Sequence, residues 1–221
     1  DGQSANDLRD ARRTILNELS QTLHVTVLED PSGAVRVSAA NGAGLVENGS
    51  VVNRIAVRAA DVGLDGLALH EIGFADAAGN FLSVPAAFSG GTVGGLASVR
   101  DDAIVTASQN LDKFVAGSGS NPGLISAVNT IQQAGRDLDG NATTTTPLFG
   151  GTSAATISVL ITDPRQIAAA QSTTPGDNRN ALALADLRTT TLTALGSQTL
   201  TGYLALEQAR IGEDAALAND Q

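Results

Sequence analysis

The fold is decided at Leu16-Asn17-Glu18-Leu19-Ser20-Gln21-Thr22-Leu23-His24-Val25-Thr26-Val27-Leu28-Glu29. Up to Leu23 the apolar residues recur at helical spacing: Leu8, Ala11, Ile15, Leu16, Leu19 and Leu23 form one stripe, the mark of an amphipathic helix. Arg9, Arg12, Arg13 and Glu18 lie off that stripe. From His24 the period drops to two. Val25 and Val27 are answered by Val35 and Val37 across Glu29-Asp30-Pro31-Ser32-Gly33, which is a β-hairpin with turn residues at its centre. A helix over residues 4–22 therefore runs straight into β structure. Ser4 or Asn6 caps it, and Asp7 and Asp10 suit its positive end.

Further strand-like runs follow over residues 51–60, 67–75 and 80–84, punctuated by Asn41-Gly42, Asn48-Gly49 and Ala78-Gly79-Asn80. No helical segment separates them, so βαβ units are excluded. Residues 24–90 read as a small, mostly antiparallel β domain, and the fold class is α+β. Gly90-Gly91-Thr92-Val93-Gly94-Gly95 reads as a hinge before the return to helix. A helix over residues 96–115 carries Ile104, Ala107, Leu111 and Phe114 as a heptad-like seam.

Gly117-Ser118-Gly119-Ser120-Asn121-Pro122-Gly123 breaks that helix with the composition of a flexible linker. Either one long helix has received a loop, or two shorter helices turn back on each other. Excising residues 117–123 leaves Ile125 and Val128 in phase with the seam, which favours the first. Beyond, Arg136-Asp137-Leu138-Asp139-Gly140-Asn141 ends a helix as a turn, and residues 143–146 read as a polar loop. A strand over residues 155–162 and a short helix from Asp163-Pro164 to Ala170 come next. Helices over about 178–192 and 199–218 close the chain. The last carries Leu200, Leu204, Ile211, Ala215 and Ala218 on one side, a thin apolar face that needs neighbours. Proteases are expected to cut first at 117–123 or 142–147.

Composition narrows the function. With 42% hydrophobic but only 3% aromatic residues, the core is expected to consist of Ala, Val, Leu and Ile, without an aromatic-lined pocket. A net charge of −10 with a single lysine, Lys113, argues against nucleic acid, which demands a concentrated basic surface. The absence of Cys excludes disulfides, thiolate nucleophiles and Cys-ligated zinc. No apolar run is long enough to span a membrane. There is no Met, so residue 1 is not a translation start, and the chain is expected to be a fragment or a processed product.

Candidate chemistry is sparse. Asp137-Leu138-Asp139-Gly140-Asn141 opens like a calcium loop, but Ala142 and Leu148 stand where Gly and Glu are required. Gly151-Thr152-Ser153-Ala154-Ala155 resembles the serine segment of subtilisin-like proteases, yet the base would have to be His24 or His70, both in predicted strands. Those two histidines alone make a weak zinc site. Residues 90–95 lack the lysine and spacing of a phosphate loop, and Asp101-Asp102 reads as a helix N-terminus answering its dipole. No catalytic, cofactor-binding or metal-binding residue is assigned, and the chain is not expected to be an enzyme.

Five blocks carry a resemblance. They are Asn6-Asp7-Leu8-Arg9-Asp10-Ala11-Arg12 with Leu16-Asn17-Glu18-Leu19-Ser20; Gly94-Gly95-Leu96-Ala97-Ser98-Val99-Arg100-Asp101; and Gly135-Arg136-Asp137-Leu138-Asp139-Gly140-Asn141. Ile161-Thr162-Asp163-Pro164-Arg165-Gln166-Ile167-Ala168-Ala169-Ala170 is the fourth. Asp177-Asn178-Arg179-Asn180-Ala181-Leu182-Ala183-Leu184-Ala185-Asp186-Leu187 is the fifth, with Asp177 or Asn178 as its cap and Leu184 and Leu187 for packing. In this order they resemble the bacterial flagellar hook-associated protein 1 family.

The resemblance implies a discontinuous helical rod-like domain, residues 1–23 and 96–221 with a short β segment near 154–162, interrupted by a β domain at 24–95. Helices 4–22 and 96–115 would then lie side by side. The family's N-terminal arm and the end of its C-terminal coiled coil are expected to lie outside this stretch. The implied role is a structural subunit at the hook–filament junction. Its partners would be other copies in a ring, the hook protein and the next hook-associated protein, with no nucleic acid, membrane or cofactor. It would be extracellular, exported by the flagellar type III route, and monomeric when isolated without its arms. The competing expectation is a secreted acidic module whose β domain binds a host or a carbohydrate.

Overall fold

The computed structural model describes residues 6–60, 69–76 and 78–219. It combines helices with small antiparallel sheets and divides into two units, residues 1–104 and 105–221. The α+β class follows directly from these elements.

In the first unit, α1 (Asn6–Thr22) leads into β1 (Val25–Glu29) and β2 (Val35–Ala39). The hairpin register is Val27↔Val37, as the alternating valines require. β3 (Gly44–Glu47) and β4 (Ser50–Val51) complete a four-stranded sheet in the order β1-β2-β3-β4. β3 had no sequence signal of its own, because Gly44 and the flanking Asn-Gly pairs break its alternation. A three-stranded sheet follows from β5 (Arg54–Ala60), β6 (Leu69–Ala75) and β7 (Phe81–Ser83). The core joins Leu23, Val37, Ala39, Leu45, Phe74, Ala87 and Phe88, with Leu16 and Leu19 of α1 against it. Arg12 fastens α1 to the hairpin, its guanidinium donating to Gly33 O at 2.9 Å and pairing with Glu29 at 2.8 Å. The other apolar members of the α1 stripe do not follow: Leu8 is 72% and Ile15 63% exposed.

The glycine run at 90–95 is not a hinge. It forms the first turns of α2 (Gly91–Ser98). A Cβ on Gly91 would lie 2.7 Å from Thr22 O, and one on Gly94 2.7 Å from the Ser89 carbonyl carbon. The glycines let α2 start in contact with the last turn of α1, where Thr92 Oγ1 also donates to Gln21 O at 3.2 Å. The helix then continues through a π-type stretch, Val99–Ile104, into α3 (Val105–Ala116). The wider turn breaks the expected seam. Ile104 and Leu111 are exposed, and Phe114 is the member that packs.

In the second unit, residues 117–123 form a closed turn. β8 (Gly117–Ser118) pairs antiparallel with β9 (Asn121–Pro122), and α3 packs against α4 (Leu124–Gln133). The continuous-helix reading is overturned, because two glycines permit a backbone approach that no other residue would. A Cβ on Gly123 would sit 2.3 Å from Gly117 N, and one on Gly117, at φ 93°, would sit 2.2 Å from Asn121 O. Gly123→Ala is expected to destabilise this unit by about 1–3 kcal/mol through forced overpacking, read as a lower urea midpoint for the second unit. Residues 142–147 are not a free loop either. Thr143 is buried, and its hydroxyl donates to Gln132 O at 2.6 Å and Gly135 O at 2.8 Å, closing the end of α4.

The strand expected at 155–162 shrinks to β11 (Ser158–Val159), paired with β10 (Phe149–Gly150). The helix expected from Pro164 to Ala170 is a single 3-10 turn, Pro164–Gln166, capped by Asp163. α5 (Arg179–Asp186) is shorter than expected. β12 (Thr191–Leu192) and β13 (Gln198–Thr199) pair before α6 (Leu200–Asn219). The core of this unit holds Ala127, Leu192, Ala194, Leu195 and Tyr203, with Phe114 and Leu187 packed on it. Each unit thus centres on an aromatic pair, contrary to the expected purely aliphatic core. The ring centroids of Phe74 and Phe88 are 5.4 Å apart, and those of Phe114 and Tyr203 are 6.2 Å apart.

Candidate functional site

Ser153, His24, His70 and Asp101 each make contacts within the fold. Ser153 is buried, its hydroxyl 2.9 Å from Thr156 Oγ1; its unit, residues 105–221, contains no histidine. His24 packs its Cβ and ring where a Gly90 side chain would otherwise be, and its amide donates to Gly90 O at 3.3 Å. His70 sits in β6 opposite Ala59, and its carbonyl accepts from Arg100. Asp101 lies in the π-type stretch, well inside the helical run rather than at its start, and pairs with Arg100 at 2.6 Å. Among the described residues no three His, Cys, Asp or Glu side chains converge as a metal site.

The Asp137 loop is one of three copies of a turn. In each, an Asp carboxylate accepts the backbone N–H two and four residues on. Asp30 serves Ser32 and Ala34, Asp76 serves Ala78 and Asn80, and Asp137 serves Asp139 and Asn141. The residue three after each Asp is a glycine at φ 83–85°, the left-handed position of a three-residue hairpin loop. At Asp137 and Asp76 the second carboxylate oxygen takes the Asn141 or Asn80 side-chain amide. That amide, the backbone donors and, for Asp137, the Arg165 charge hold these carboxyls below the usual carboxylate range. The Asp-x-Asp-Gly-Asn string is therefore a turn whose acid is already saturated with donors.

Asp177 gathers the largest set of donors. Its side chain is only 5% exposed. It accepts from the Arg179 guanidinium at 2.8 and 2.9 Å, from Ser172 Oγ at 2.7 Å, and from the amides of Ser172, Gln171 and Arg179. The Arg179 side chain first, then Ser172, hold its carboxyl far below the ordinary Asp value. Asn178, the residue at the cap position, makes no side-chain capping bond; the first-turn amide of Arg179 is met by Asp177 instead. A depressed folded pKa stabilises above the unfolded value of about 3.9, and this contribution is lost as pH falls. Asp177→Asn is expected to lower stability at pH 7. The gap to the parent protein should narrow progressively below pH 4 in urea titrations.

Exposed apolar side chains occur on strands, such as Val57 and Leu82, and on helices. Leu8 and Ile15 of α1 and Leu204, Leu206 and Ile211 of α6 are uncovered. A groove of about 660 Å³ runs along α1 beside the β1–β2 hairpin, with Arg9 and Arg13 on its wall and Leu16, Val27 and Val35 within it. Exposed apolar surface of this kind marks sites of interaction when it is contiguous. Residues 1–149 match the model of the flagellar hook-associated protein FlgK helical domain. The chain belongs to this family. Comparison with curated proteins gives no match.

Membership makes the chain a hook-associated structural component of the bacterial flagellum, a family of motility proteins and not of enzymes. The matched range takes in the first three sequence blocks; the fourth and fifth, at 161–170 and 177–187, lie outside it. Its range also takes in the four-stranded and three-stranded sheets of the first unit. No helix among the described residues is long and apolar enough to cross a membrane.

The residue that the sequence reading missed is Asn180, inside the fifth block. It is 1% exposed, and its amide donates to Ala168 O at 2.7 Å. Gln132, fully buried on α4, was missed as well. A polar residue four positions after the apolar Val128 was the available signal, since it falls beside the buried face of the helix.

Proposed function

We propose that this chain is a ring-forming subunit at the junction between flagellar hook and filament. The single observation that carries this reading is the match to the FlgK helical domain over residues 1–149. In this reading residues 1–23 and 96–221 form a discontinuous helical rod domain and residues 24–95 a β insert. The start of α2 against the last turn of α1 supports it. The partners are further copies of the chain, the hook protein and the next hook-associated protein. The chain leaves the cell by the flagellar type III route, works outside it, and is a monomer when isolated. A chain without cysteine suits unfolded export through a narrow channel.

The alternative of a host- or carbohydrate-binding module gains nothing from the structure, and the Asp30 and Asp76 turns of the β domain spend their carboxylates on internal hydrogen bonds. The test is immunogold labelling of flagella from the source bacterium, with deletion of the gene. A single labelled band between hook and filament, and hooks without filaments in the deletion strain, are expected. Label along the filament or on the cell surface, with motility intact after deletion, would overturn the proposal.

A further inference from the structure

The sequence holds two Asn-Gly pairs, Asn41-Gly42 and Asn48-Gly49. Both are exposed, and both lie in turns of the four-stranded sheet. Their covalent chemistry is the same, but the fold treats them differently. Asn41 is fixed: its Oδ1 accepts from Ala43 N at 3.0 Å, and the Gly42 amide donates to Ala39 O at 2.9 Å. Asn48 has neither bond. Among the described residues its side chain meets no hydrogen-bond partner, and the Gly49 amide has no acceptor.

Asn48 and Gly49 are the two-residue loop between the paired residues Glu47 and Ser50. Their φ angles are 50° and 77°, the two left-handed positions of a type I′ hairpin. β4 beyond the loop is two residues long, exposed, and lies at the edge of its sheet. Such an element opens locally at small cost, which lets the Asn48 side chain and the next amide sample many relative orientations.

We propose that Asn48 is a site of spontaneous deamidation and isoaspartate formation, and that the fold protects Asn41 from the same reaction. The Gly49 nitrogen gives its proton to solvent base and attacks Asn48 Cγ. The Cγ–Nδ2 bond breaks, ammonia leaves, and a five-membered succinimide closes. Glycine has no side chain to obstruct that attack. Water then adds to one of the two ring carbonyls. Breaking the new Cγ–N bond gives aspartate; breaking the original peptide C–N bond gives isoaspartate, whose backbone runs through Cγ. One water is consumed and one ammonia released. Aspartate suits a type I′ loop as asparagine does. Isoaspartate lengthens the backbone by one carbon, so a loop closed by the Glu47–Ser50 pair loses its register and β4 peels from β3.

The test incubates the folded chain in warm, mildly alkaline heavy-oxygen water, then digests it in ordinary water. Cleavage after Arg36, Glu47 and Arg54 puts Asn41 and Asn48 on different peptides, and fragment spectra separate Asn48 from Asn53. The succinimide route writes one solvent oxygen into the product. Asn48 should convert roughly tenfold faster than Asn41, because two hydrogen bonds must first break at Asn41. In urea, where neither bond exists, the two rates should converge. The isoaspartate product, separated chromatographically, should lose amide protection at Val52, which donates to Leu45 O at 2.9 Å in the native hairpin. Asn48→Asp should keep that protection. Equal rates in the folded chain, a faster Asn41, no labelled product at Asn48, or a rate difference that persists in urea would each overturn the proposed site. Full protection at Val52 in the isoaspartate form would overturn the peeling of β4.

Discussion

Gln132→Ala is expected to remove about 3–5 kcal/mol from the second unit, a large part of a typical domain's stability. Gln132 is 0% exposed. Its amide donates to Gln166 O at 2.8 Å and accepts from Ala168 N at 3.0 Å. One side chain on α4 thereby serves the Gln166 carbonyl and the Ala168 amide, where the chain leaves the 3-10 turn Pro164–Gln166. Asn180, from α5, holds Ala168 O. Truncating Gln132 leaves the buried Ala168 N–H without a partner, at about 1–3 kcal/mol, loses the bond to Gln166 O, and opens a cavity. Ser126→Ala on the exposed side of the same helix should stay within about 0.5 kcal/mol.

The readout is clean. Tyr203 is the chain's single tyrosine, there is no tryptophan, and Tyr203 lies in the core of the second unit. Its fluorescence in urea follows that unit alone. An unchanged tyrosine transition in Gln132→Ala would mean that the 166–168 segment is not held by this amide.

The parts of the fold that were legible share one property: their signals are periodic and local. The α1 stripe, the Val25–Val37 hairpin and the last helix follow from side-chain spacing alone, and the structure places them within a few residues of expectation. The errors fall where the deciding contact is distant in sequence. Gly91 and Gly94 looked like a hinge because composition cannot show that Thr22 and Ser89 lie under 3 Å from where their side chains would be. Gly117 and Gly123 looked like a linker for the same reason, although each excludes a Cβ for the other's backbone. Thr143 looked like a member of a polar tract, but its hydroxyl meets two carbonyls at the end of α4. Of the candidate site, the turn chemistry of Asp137 was legible and the pairing of Asp177 with Ser172 was not, since four loop residues lie between them. The exposed apolar half of α6 was legible as a face short of neighbours. The Arg9–Arg13 groove was not, because it exists only once the hairpin folds back along α1.

Phe74→Ala is expected to cost the first unit about 3–5 kcal/mol. Phe74 is 1% exposed and is among the largest fully buried side chains. Its position follows from register. It lies opposite Ile55 on β5 and Leu82 on β7, so all three point to the same face of the sheet. Ile55 and Leu82 at the sheet's two flanks are 46% and 57% exposed, while Phe74 on the central strand is covered. The cover is Phe88, in the 3-10 turn Pro85–Phe88, whose ring is tilted 57° to that of Phe74, a favourable aromatic arrangement.

Through that contact the three-stranded sheet joins Leu23 at the end of α1 and Val37 and Leu45 of the four-stranded sheet in one cluster. Apart from Phe88 the buried members of the cluster are aliphatic, Leu23, Val37, Ala39, Leu45 and Ala87, and a close-packed core relaxes only partly around a lost ring, which leaves a cavity. Phe74→Leu, which keeps most of the volume, should cost well under half as much. Far-UV circular dichroism in urea should show the first unit unfolding earlier, while the Tyr203 signal keeps its midpoint. A shift of both signals together would show that the two units unfold as one cooperative body.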